Sequence, residues 1–156
     1  MSVALARRLP PAQAEVHALA NQCGILFIGR CGGDDARIAA LRSLGFRVDE
    51  SEHFPTAEDL AHYHAFIVRA FEGCALPVVG ARLRAKPQFG RRILIALMPE
   101  HVSERDTRDA KMSGFDEALA ASCTARDIAA HILRLLRGFP EYRCLLRAPN
   151  GRRKAA

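Results

Sequence analysis

Ala65-Phe66-Ile67-Val68-Arg69 follows a helix-like segment and the dipeptide Tyr63-His64, and its reading decides the fold. A short apolar run of this kind fits a strand buried on both faces of a parallel sheet. In an open α/β sheet, the residue at a strand's carboxyl end faces the ligand crevice. The residue there is Arg69. A carboxylate at such a place can accept a phosphoryl group or hold a cation. A guanidinium does neither, but it offers an anion or a carboxylate a rigid fork of donors.

The same alternation extends in both directions. Upstream, Ile25 to Ile28 is an apolar run of strand length, followed by the loop Gly29-Arg30-Cys31-Gly32-Gly33. Asp34 or Asp35 then caps a helix to Leu44, with Ile38, Leu41 and Leu44 at helical spacing and Gly45 as its stop. Phe46-Arg47-Val48 begins a second strand, and Thr56 caps a short helix with Asp59 three residues on. Downstream, the spacing predicts a third helix from about Leu76 to Arg84, ended before Pro87, and a fourth strand over Ile93 to Leu97. Ser103 caps a fourth helix running to Met112, with Gly114 beyond it. Phe115 to Ala120 reads as a weak fifth strand. Thr124 caps a fifth helix striped by Ile128, Ile132, Leu135 and Leu136. Five β-α units predict an α/β fold: a doubly wound, five-stranded parallel sheet with helices on both faces.

Charge divides the chain. The net charge is +6 over 156 residues, yet residues 24–133 carry 15 acids against 14 bases. The excess lies beyond them, in Arg134, Arg137, Arg143, Arg147, Arg152, Arg153 and Lys154, against Glu141 alone. The expected organisation is an N-terminal extension with a short helix (1–23), one α/β domain (24–137) and a basic C-terminal tail (138–156). No apolar run is long enough to span a bilayer and the first residues lack the apolar core of a signal peptide, so a cytoplasmic protein is expected. The five cysteines are scattered, without a C-x-x-C pair, which argues against a disulfide framework or a zinc site.

Segment order and texture over about residues 24 to 137 resemble a response-regulator receiver domain, with the flavodoxin-like (βα)5 fold of two-component signalling proteins. The resemblance lies in Ile25-Leu26-Phe27-Ile28, in Leu44-Gly45-Phe46-Arg47-Val48, in Tyr63-His64-Ala65-Phe66-Ile67-Val68, in Ile95-Ala96-Leu97 and in Ser113-Gly114-Phe115-Asp116-Glu117-Ala118-Leu119. It implies that the phosphorylation residues are gone. Gly29 and Arg30 stand where receivers have an acidic pair, Arg69 where they have the phosphoacceptor Asp, and Met98 where they have Thr or Ser. Ala121 takes the place of the Lys, Ser122 of the following Pro and Ala118 of the aromatic switch residue. Phosphoryl transfer to an Asp needs a carboxylate-held magnesium ion to neutralise developing charge. Two arginines without a carboxylate do not supply it.

The expectation is a stand-alone pseudo-receiver: no enzyme, no cofactor, no metal. It acts by phosphorylation-independent contact with a histidine kinase, phosphotransferase or output protein, or with a second copy of itself. The surface implied by the resemblance is the face of helix four, strand five and helix five. Two alternatives follow from the arginines. Arg30 and Arg69 could form an anion site for a phosphate or a nucleotide second messenger such as cyclic di-GMP, unless each pairs with a local acid: Asp34, Asp35 or Glu72. The tail bases Arg143, Arg147, Arg152, Arg153 and Lys154, with Phe139 and Tyr142 interleaved, could bind nucleic acid. The glycine-rich loop 29–33 matches neither G-x-G-x-x-G nor a Walker sequence, and no nucleophile–base arrangement has motif support.

Overall fold

The computed structural model of the chain describes residues 20–29, 35–69, 76–90, 92–99 and 103–138. Within them, five strands alternate with five α-helices: β1 (Gly24–Ile28), α1 (Ala36–Ser43), β2 (Arg47–Ser51), α2 (Ala57–His62), β3 (Ala65–Arg69), α3 (Leu76–Arg84), β4 (Ile93–Met98), α4 (Glu104–Met112), β5 (Glu117–Ala120) and α5 (Ala125–Gly138). A 3-10 turn, Pro87–Phe89, leads into β4. All strands are parallel, in the order β2-β1-β3-β4-β5. The doubly wound parallel sheet read from the sequence is the observed architecture.

Local chemistry fixes the ends. Thr56 and Asp59 form a reciprocal capping box at α2, and Ser103 and Asp106 form one at α4. Asp35 caps α1. Several strand limits differ from the sequence expectation. β2 starts at Arg47 because the Phe46 N–H donates to Leu41 O, closing the end of α1, while the Phe46 ring turns into the core. β5 starts at Glu117 because Asp116 is used as a connector: its carboxylate accepts from the Leu94 N–H and from Arg84. β4 runs one residue past Leu97, to Met98.

The strand period of two sends alternate side chains to opposite layers. Ile25, Phe27, Val48, Ala65, Ile67, Ile93, Ile95 and Leu97 pack with Ile38 and Leu41 of α1 and with Ile128, Ile132 and Leu136 of α5. Leu26, Ile28, Phe66, Val68, Leu94 and Ala96 pack with Leu60 of α2, Leu76 and Leu83 of α3, and Ala110 of α4. Burying each large apolar side chain contributes about 1.5–3 kcal/mol, so these two layers dominate stability. α4 is held lightly by comparison, since Ala110 is its buried residue.

Strand order places the crevice. The connections from β1 to β2 and from β3 to β4 run in opposite directions across the sheet, so the carboxyl ends of the adjacent β1 and β3 open a cleft between them. Gly29 leaves β1 there, and Arg69 ends β3 there.

Candidate functional site

Arg69 shares the face of β3 that carries Ala65 and Ile67, so its side chain rises above the α1–α5 layer. It is only 7% exposed, and its guanidinium lies 4.8 Å from the centroid of the Phe27 ring. A cation stacked on an aromatic face in a desolvated site gains about 1–2 kcal/mol. Two carboxylates complete the charge balance. Arg69 Nη2 donates to Asp35 Oδ2 at 3.0 Å, and Nη1 donates to Glu50 Oε2 at 3.0 Å and to the Gly29 carbonyl at 3.1 Å. Among the described residues, its Nε–H has no acceptor. Removing one partner from a buried pair leaves an uncompensated charge, which makes the contacts mutually dependent.

Gly29 suits this geometry because its φ of 111° lies in the left-handed region open to glycine. The turn there lets the Gly29 N–H donate to Ser51 O while its carbonyl faces Arg69.

Asp35 joins the crevice to a second arginine. Its Oδ1 caps α1 by accepting from the Arg37 N–H at 3.0 Å. Both oxygens also take the Arg37 fork, through Nε and Nη2 at 2.9 Å each. Arg37, then burial working in the opposite sense, then Arg69 set the Asp35 pKa, which falls from 3.8 to about 2. The remaining Arg37 nitrogen, Nη1, donates to Ala121 O at 2.7 Å and to Cys123 O at 3.5 Å. A line of charge-assisted hydrogen bonds therefore runs from Glu50 through Arg69, Asp35 and Arg37 to the β5–α5 loop. A shallow groove of 520 Å³ lies alongside it, lined by residues that include Ala36, Arg37, Ala40, Ala121 and Cys123.

Of the positions singled out in the sequence, Gly29, Arg69, Met98 and Ala121 all stand at or just past the carboxyl ends of strands. Met98 and Ala118 are half-buried against the α2–α4 layer, on the face of the sheet away from Arg69. Arg69 pairs with Asp35, one of the three local acids expected, and with Glu50, which sequence reasoning missed. An external anion would have to displace a carboxylate from each terminal nitrogen of Arg69. Arg30, Asp34, Glu72 and the tail bases Arg143, Arg147, Arg152, Arg153 and Lys154 lie outside the described residues. Glu50 was legible through parity: it shares a face with Val48, and β2 register sets it opposite Phe27. Arg37 carried no comparable signal, because its reach to residue 121 exists only in the folded chain.

On the face formed by α4, β5 and α5, Glu117 receives Arg134 and lies 4.0 Å from His131 Nδ1, fastening α5 to the edge strand. Met112, at the end of α4, is 81% exposed. Among the described residues, no helix is long and apolar enough to cross a membrane, and no group of three or more His, Cys, Asp or Glu side chains is placed to hold a metal ion.

No protein-family model and no curated protein matches the chain. Solved structures do. The receiver domain of sensor histidine kinase PA1611 from Pseudomonas aeruginosa PAO1, with a magnesium ion coordinated in its active-site cleft, aligns at a TM-score of 0.58 and 21% identity, covering 72% of this chain and 96% of that one. HP1043, an orphan response regulator of H. pylori, aligns at 0.59 and 20% identity, over 75% of this chain and 98% of that one. The chemotaxis response regulator CheY4 of Vibrio cholerae aligns at 0.58 and 12% identity, over 73% and 98%. With its strand order and crevice, the chain has the flavodoxin-like fold of response-regulator receiver domains.

Proposed function

We propose that this protein is a pseudo-receiver: a module of two-component or phosphorelay-type signalling that works by protein–protein contact without being phosphorylated. The observation that carries this function is Arg69. It ends β3 at the topological switch point, is buried, and is bonded to Asp35 and Glu50. A guanidinium cannot accept a phosphoryl group, and its charge opposes binding of the cation that such transfer requires. The partner is a histidine kinase, a phosphotransferase or an output protein. The contact surface is the α4–β5–α5 face, where Met112 supplies an exposed apolar side chain beside the charged exterior of α4. A second copy of the chain is the alternative occupant of that face.

Incubation with acetyl phosphate and magnesium, followed by intact-mass measurement, tests the chemistry. The expected spectrum is that of unmodified protein. A stoichiometric, acid-stable and hydroxylamine-labile phosphoryl adduct would overturn the proposal.

A further inference from the structure

Three oxygens converge on Arg69, and they come from three elements. Asp35 Oδ2 belongs to the α1 cap, Glu50 Oε2 to β2 and the Gly29 carbonyl to the end of β1, at 3.0, 3.0 and 3.1 Å. Carboxylates with a backbone carbonyl, completed by water, are the donors a hard divalent cation takes. A magnesium ion is coordinated in the active-site cleft of the P. aeruginosa domain. The residues of this crevice do not fit such an ion while Arg69 is in place. The guanidinium already lies between the two carboxylates, and an added ion would bring like charges together where Arg69 and Asp35 side chains are only 8% and 7% exposed. Low solvent access strengthens that repulsion.

Resting on the pseudo-receiver reading, we infer that Arg69 is the permanent internal cation of this crevice, and that through Asp35 and Arg37 it holds the β5–α5 loop in one position. Among the described residues, the crevice is charge-balanced by its own side chains, with Arg69 and Arg37 set against Asp35 and Glu50. The loop half of the inference rests on a continuous route. Asp35 grips the Arg37 fork with both oxygens, and Arg37 Nη1 donates to the carbonyls of Ala121 and Cys123. A domain wired in this way needs no metal to set its crevice and no ligand to set the loop.

Amide spectra of the full-length protein titrated with manganese, a paramagnetic divalent ion, test both halves. In wild type, no broadening localised at Gly29, Asp35 and Glu50 is expected. In Arg69→Ala, localised broadening there is expected, with an apparent affinity at least about tenfold tighter than wild type, since the cation between Glu50 Oε2, Asp35 Oδ2 and the Gly29 carbonyl is gone while Asp35 keeps its Arg37 fork. The Ala121–Cys123 amides should shift in Arg69→Ala before any metal is added, and also in Arg37→Ala. If Arg69→Ala does not fold, Arg69→Gln replaces it, keeping a polar side chain while removing the charge. Manganese bound in the wild-type crevice, or equal affinity in wild type and the neutral variant, would overturn the internal cation. Unmoved 121–123 amides in Arg37→Ala would overturn the loop connection. Both results are independent of phosphoryl transfer, which acetyl phosphate reports on wild type.

Discussion

Neutralising Asp35 should destabilise the domain by an amount that depends on pH in a defined direction. The Asp35 side chain is 7% exposed, caps α1, and accepts from both Arg37 and Arg69. Its pKa falls from 3.8 to about 2, Arg37 being the largest cause. A drop of nearly two units corresponds to about 2 kcal/mol of stability contributed by the ionised form. The folded-state value is the lower one, so this contribution is complete above pH 3.8 and is lost as pH falls through about 2. Asn retains the capping oxygen, so Asp35→Asn should cost about 2 kcal/mol at pH 7, and Asp35→Ala about 1 kcal/mol more for the lost cap. For a chain of this size, 2 kcal/mol lowers Tm by roughly 4–8 °C. Urea unfolding of wild type and Asp35→Asn side by side from pH 7 to pH 2 provides the assay. Taking the difference removes the titration of every other carboxylate. A gap below about 0.5 kcal/mol at pH 7, or one that stays constant down to pH 2, would show that Asp35 is not the charged centre of the network.

Three further outcomes follow from other parts of the structure. His64 Nδ1 accepts the Gly24 N–H at 3.1 Å, and burial, with Arg92 and Arg47 adding to it, lowers its pKa below 6.5; an NMR titration midpoint at or above 6.5 would contradict this. Because the folded-state value is depressed, the His64 contribution to stability is present above pH 6.5 and declines as the solution is acidified through the folded pKa. Gly80→Ala should cost about 2 kcal/mol in urea despite alanine's helix preference, since a Cβ there would stand 2.7 Å from the Phe115 ring and 2.8 Å from Ser113 O; an unchanged midpoint would mean that α3 and α4 separate freely. Cys23, 3% exposed with its thiol pushed up to about 12 by burial, should resist a thiol reagent in the native protein and react only on unfolding, as mass mapping would show.

Most of the fold was legible because its signals are local. The cap residues Thr56, Ser103 and Asp35 act within three positions, and the strand Ala65–Arg69 was readable from an apolar run ending in charge. Phe46 and Phe115 misled the strand limits because an apolar aromatic beside a strand scores as strand. Here they are side chains that turn inward from helix-closing and connecting residues. Arg69 was readable as a position but not as an environment. Its partners lie 34 and 19 residues away, and Glu50 emerges only when β2 is set in register against β1. The exit of charge through Arg37 to residue 121 spans 84 residues and was not written in any spacing.

The central claim, that the crevice is closed to phosphorylation, is tested most directly by amide spectra of the wild-type protein with and without beryllofluoride and magnesium. With Asp35 and Glu50 held by Arg69, the two spectra should superimpose, at Gly29, Arg69 and Ala121 above all. Saturable shifts clustered around Arg69 would contradict it.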